Sequence, residues 1–154
     1  SSEILRKIPL NNFQVVQLPL SIYDQRLIED GTIEFLKSNK ISIHARSIFL
    51  QGLILSPVNN WPNFLSKEFV DHHKNYYSLV KDLGSSLLEL ILHFNKKQED
   101  IEAFLIGISS LNELKEIISI SEKVNKDSMN YPINFKELAW HNSLDLDPRL
   151  WPKN

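Results

Sequence analysis

The chain has no cysteine, which excludes both a disulfide framework and a thiolate metal site. With only 4 glycines among 154 residues it contains neither a P-loop nor a GxGxxG fingerprint. No excess of one charge exists: the net charge of −2 argues against a dedicated nucleic-acid or anionic-membrane partner. No apolar run reaches the roughly 20 residues of a membrane span, and the longest is interrupted by Glu89 and His93. A secretory signal pattern, a low-complexity segment, an internal repeat and a Ser-His-Asp arrangement are all lacking. The missing signal and cysteines point to the cytoplasm. The first residue is Ser1 rather than methionine, so the sequence reads as a fragment or a trimmed chain.

What is present is an ordinary soluble composition, 42% hydrophobic and 23% charged, long enough for one domain with a real core. Residues 1–8 read as the last turns of a helix closed by Pro9. Strands are expected at 12–20, 41–45 and 103–106, where β-branched and apolar residues run between turn formers. Helices are expected at 27–39 despite Gly31, from about Pro62 to Gly84, at 87–94 behind Ser85 or Ser86, and after Ser110. The tail from Asn125 reads as irregular, with a helical patch at 134–138. Alternation of strand and helix implies parallel strands, hence an α/β fold in three stretches, 1–40, 41–100 and 101–154.

The densest signal is ISIHARSIFLQGL, residues 41–53, where an apolar strand stops at Arg46-Ser47 and Gln51-Gly52 follows. A guanidinium at a strand's end needs an anionic or planar partner, either a ligand or a carboxylate such as Asp24. Gln17 ends the first strand with an amide suited to a carboxamide or to loop backbone. In GISSLNELKE, residues 107–116, Gly107 admits close approach while Ser109 and Ser110 open a helix whose amides attract anions. The competing reading there is a plain capping box of Ser110 with Glu113. Asp24 and Arg26 are expected to pair locally. His72 and His73 diverge on one helix and are expected to face solvent; His44 and His93 are expected in the core, and His141 has no evident partner.

Together VVQLPLSIYDQR (15–26), ISIHARSIFLQGLIL (41–55), FLIGISSLNELKE (104–116) and DPRLW (147–151) resemble the C-terminal part of an aldo-keto reductase. The resemblance implies the sixth to eighth strand–helix units of a (β/α)8 barrel plus C-terminal helices, a partial TIM barrel. It implies NADP or NAD as cofactor, bound across the carboxyl ends of the strands. By position, Gln17 would bind the nicotinamide carboxamide and Arg46 would stand against its ring. Ser47, Phe49, Gln51 and Gly52 would line the pyrophosphate passage. Gly107, Ser109 and Ser110 would hold the adenosine side, with Glu116 near the adenine.

Two positions depart from that family. Glu113 stands where an arginine often holds the 2′-phosphate, which tilts preference towards NADH or weakens binding. Ile117 replaces an adenine-binding asparagine. The family's catalytic aspartate, tyrosine, lysine and histidine belong to earlier strands, so no catalytic residue is assigned here and the isolated chain is expected to be inactive. An open three-stranded parallel sheet is expected to self-associate or to pair with an N-terminal half, and to bind the cofactor weakly. The alternative is a non-enzymatic half-barrel that binds a nucleotide or phosphate, or acts as a scaffold.

Overall fold

The computed structural model describes residues 2–126 and 131–152; Ser1 and residues 127–130 of the expected irregular tail lie outside the described residues. Three parallel strands form one sheet in sequence order: β1 (Val15–Pro19), β2 (Ser42–Arg46) and β3 (Ala103–Phe104). Val15, Val16, Ile43 and the apolar residues between them suit a pleated surface, and both long strands fall where expected. β3 is only two residues long because ladder bonds end at Leu105, whose N–H donates to the Ala45 carbonyl at 2.7 Å.

In-register partners share a face. Leu18 with Ala45, and Val16 with Ile43, point towards the helices, and three of these four are buried. The opposite face carries Val15 with Ser42, Gln17 with His44, and Pro19 with Arg46, none of them buried. Parallel sheets ordinarily have both faces covered. Here one face is packed and one is open, so His44 lies half-buried on the open face and not in the core as expected.

The helical elements are α1 (Ser2–Leu5), α2 (Arg26–Glu29), α3 (Thr32–Ser38), α4 (Lys67–Asp82), α5 (Leu87–Lys96), α6 (Leu111–Lys126) and α7 (Ser143–Leu146). The single helix expected at 27–39 is two. Gly31 adopts a left-handed φ of 73°, and the Asp30 carboxylate accepts from the Thr32 N–H at 2.9 Å to start α3 afresh. α4 likewise begins later than Pro62 suggests. Ser66 caps it, its hydroxyl accepting from the Phe69 N–H at 3.2 Å, while the residues before it form turns.

Ser86 caps α5 as expected, accepting from the Glu89 N–H at 3.1 Å. α5 is buried on most sides, with Leu90, Ile91 and Phe94 in the core beside Ile43, Leu36 and Phe69. Each such side chain contributes about 1.5–3 kcal/mol by leaving water. His93 is buried on the same helix, as expected. The tail adds a 3-10 turn at Phe135–Leu138, the α7 turn, and the buried side chains of Leu138 and Leu146.

His72 and His73 do not face solvent. Tyr23, Trp61, Phe69 and Trp140 enclose this part of α4, leaving His73 buried and His72 half-buried. His141 has a partner, Glu29, at 3.5 Å.

Candidate functional site at the strand ends

β1 and β2 end side by side, and the chain leaves both in loops that carry polar side chains. Between them and the tail lies a cleft of about 600 Å³. Its wall includes Gln17, Val16 and Leu18 from β1, Arg46 at the end of β2, Ser47 and Gln51 from the following turn, and Leu5 from α1. Four residues chosen from the sequence therefore come together in one place.

The turn after β2 is conformationally unusual. Ser47, Leu50 and Gln51 have φ of 61°, 47° and 59°, followed by Gly52 at 82°. A left-handed conformation costs a non-glycine residue about 1–2 kcal/mol and persists only when surroundings enforce it. The anchors are the buried side chains of Ile48, Leu50 and Ile54, together with turn bonds from Leu50 N–H to the Ser47 carbonyl at 2.8 Å and Leu53 N–H to the Leu50 carbonyl at 3.1 Å. These hold Ser47 and Gln51 beside Arg46.

The charges of the cleft are mostly committed. Arg26 grips Asp24 bidentately, Nε to Oδ1 at 2.8 Å and Nη2 to Oδ2 at 2.9 Å, as the sequence suggested. That hydrogen bond to Asp24 raises the Arg26 pKa further, and the remaining Nη1 donates to the Ser143 hydroxyl at 2.8 Å. Arg149 grips Asp147 the same way, with Nη2 to Oδ2 at 2.6 Å, which holds the Asp147 carboxyl below its ordinary range. Both pairs are written in the sequence as Asp-x-Arg, at 24–26 and 147–149. That repeated spacing was the available signal for the tail's share of the site, which the sequence reading missed.

Arg46 differs. Its side chain reaches only the Ser47 hydroxyl, at 3.4 Å, and forms no ion pair among the described residues. Asp24 is taken by Arg26 and does not neutralise it. Arg46 is exposed at the mouth of the cleft, a planar cation available to a ligand.

The remaining site candidates lie elsewhere. Phe49 packs half-buried against the core, and Gly52 is exposed; neither is on the cleft wall. Gly107, Ser109, Ser110 and Glu116 are exposed beyond the end of β3 and also stand off the cleft. Ser109 is already engaged: its N–H donates to Glu113 at 2.8 Å and its hydroxyl at 2.9 Å. The Glu113 N–H in turn donates to the Ser110 hydroxyl at 3.2 Å, so the capping arrangement at the start of α6 is real and extends one residue earlier than expected. The Ser109 N–H donating to it holds the Glu113 carboxyl below its usual range, so it is ionised at neutral pH.

No group of three or more His, Asp and Glu side chains is arranged to hold a metal ion among the described residues. No helix among them is long and apolar enough to cross a membrane. No protein-family model matches this chain, and no curated protein matches it.

Proposed function

We propose that this chain is the cofactor-binding part of an NAD(P)H-dependent carbonyl reductase of the aldo-keto reductase type, its strands being the last three of a (β/α)8 barrel. The observation that carries the reading is the meeting of Gln17, Arg46, Ser47 and Gln51 on one cleft at the carboxyl ends of parallel strands. That is where a barrel binds its ligand. The open sheet face supports the same reading, because residues such as Gln17 and Arg46 would then line a barrel interior.

The residues suit the group. The Gln17 amide both donates and accepts, as a carboxamide partner must. Arg46 offers a free guanidinium for a ring face or a pyrophosphate oxygen. Glu113, ionised beside Ser109, repels a 2′-phosphate and favours NADH over NADPH. Bound there, the nicotinamide would supply a hydride to a carbonyl; the acid that protonates the oxygen would come from outside the chain. The chain's own part is to hold and orient.

A second reading, a nucleotide- or phosphate-binding module without turnover, draws on the cleft wall itself. Among the described residues that wall carries no tyrosine, histidine or lysine, the usual proton donors for this chemistry. Calorimetric titration with NADH and NADPH tests the leading reading. We expect weak binding with NADH preferred, lowered about ten-fold or more in Arg46→Ala. No heat with either nucleotide, or tighter binding of NADPH, would overturn it.

A further inference from the structure

We propose that the cleft seats one extended segment of another polypeptide, which adds as a further strand to the free edge of β1 and alternates apolar with acidic residues. The inference does not rest on nucleotide binding. The segment lies along β1, and its test reads backbone amides that a nucleotide need not touch.

The backbone of β1 is half used. β1 stands at the edge of the sheet and pairs with β2 alone. The Ser42 N–H donates to the Gln14 carbonyl at 2.9 Å, and the Leu20 N–H to the Arg46 carbonyl at 3.1 Å, so the even-numbered residues of this stretch turn towards β2. In a parallel ladder the residues between them turn the other way. Val15 and Gln17 therefore aim N–H and carbonyl groups out of the sheet, and Pro19 a carbonyl only, with no backbone partner for them among the described residues. A proline without an N–H is tolerated on such an edge.

The cleft runs along that edge. Consecutive residues from Val16 to Ser21 line it, whereas a cavity on one face of the sheet would be lined by every second residue. Leu5 of α1 and Leu146 of α7 add to its wall. The trough follows β1 for roughly 16 Å, five residues at about 3.3 Å each. A row of donors and acceptors at strand spacing is met by another extended backbone and not by a small molecule.

Side chains set the partner's pattern. Val16 and Leu18 face the helices, and with Leu5 and Leu27 they make that side of the cleft apolar. The other side carries Gln17 and Arg46; Arg46 is in register with Pro19 and still reaches the cleft. Arg26 and Arg149 are held by Asp24 and Asp147, whereas Arg46 has no ion pair among the described residues. A carboxylate on the added strand, level with Pro19, completes it. A second copy of β1 brings none: residues 13–19 read FQVVQLP, without an acid. The partner that fits is a different, acidic segment.

Amide exchange of the full chain, read by NMR, tests this with a blocked heptapeptide of alternating valine and glutamate. At a peptide concentration about ten times its dissociation constant, exchange at Val15 and Gln17 should slow about ten-fold, while Val16 and Leu18, already turned towards β2, change little. The peptide should also dissociate any self-associated chain. Arg46→Ala should weaken its binding about ten-fold, and lysine in place of its glutamates should weaken it at least as much. Three results would overturn the proposal. They are no slowing at Val15 and Gln17, undiminished binding by Arg46→Ala or of the lysine peptide, and slowing that follows protein concentration but not peptide, which would give the edge to a second copy.

Discussion

The Asp145 carboxylate is buried against the start of α4, where it accepts from the Ser66 N–H at 2.8 Å and the Ser66 hydroxyl at 2.7 Å. A third donor, Trp140 Nε1, reaches it at 2.9 Å. Two residues separated by 79 positions thus join the tail to the cap of α4. The Ser66 hydroxyl thus donates to Asp145 while it accepts from the Phe69 N–H to cap α4.

Replacing Asp145 by alanine leaves three donors facing a small void. The expected loss is about 3 kcal/mol, since each buried unpaired donor costs about 1–3 kcal/mol and water relieves part of it. For a chain of this size that corresponds to a melting temperature lower by roughly 6–12 °C. Thermal denaturation followed by circular dichroism checks it. A change of a degree or less would show that the tail does not support α4.

Stability should fall with acid in a window set by His73. Its folded pKa, about 4, lies below the ordinary 6.5, so the unfolded chain binds the extra proton between those values. The stabilising contribution is complete above pH 6.5 and is lost as pH falls towards 4. Between pH 7 and 5 the loss should be about 2 kcal/mol, and His73→Gln should flatten it. Urea denaturation at the two pH values measures this; an unchanged midpoint in the wild type would contradict it.

Much of the fold could be read in advance because it rests on local signals. β-branched runs mark β1 and β2, and Ser86 and Ser110 stand where helices must be capped. Gly31 was misjudged because the apolar pattern continues across it, whereas its left-handed backbone stops the helix. The burial of His72 and His73 was invisible for another reason. The aromatic residues that enclose them come from positions 23, 61 and 140, and no periodicity links those. Of the site, the β2 end was legible, while the tail's Asp147–Arg149 pair was signalled only by its Asp-x-Arg spacing, because it joins the cleft through long-range contacts.

The open face of the sheet predicts association. Val15 on the edge strand β1 and Phe13 just before it are exposed apolar side chains beside unpaired strand backbone. The purified chain is expected to show concentration-dependent self-association in light scattering, reduced by Val15→Lys. A stable monomer at micromolar concentration would show that this face needs no cover.

Arg46 separates function from stability. Its guanidinium lacks an ion pair among the described residues and stands exposed, so Arg46→Ala should leave the melting temperature unchanged. A clear drop on thermal denaturation would mean that the arginine serves the fold and not a ligand.

Nothing tests the dinucleotide reading more directly than mapping where NADH touches the chain. In a titration followed by amide NMR, the side chain of Gln17 and the backbone of Arg46, Ser47 and Gln51 should shift together at millimolar NADH, saturating on one curve. Shifts confined to other surfaces, or none at all, would contradict the account.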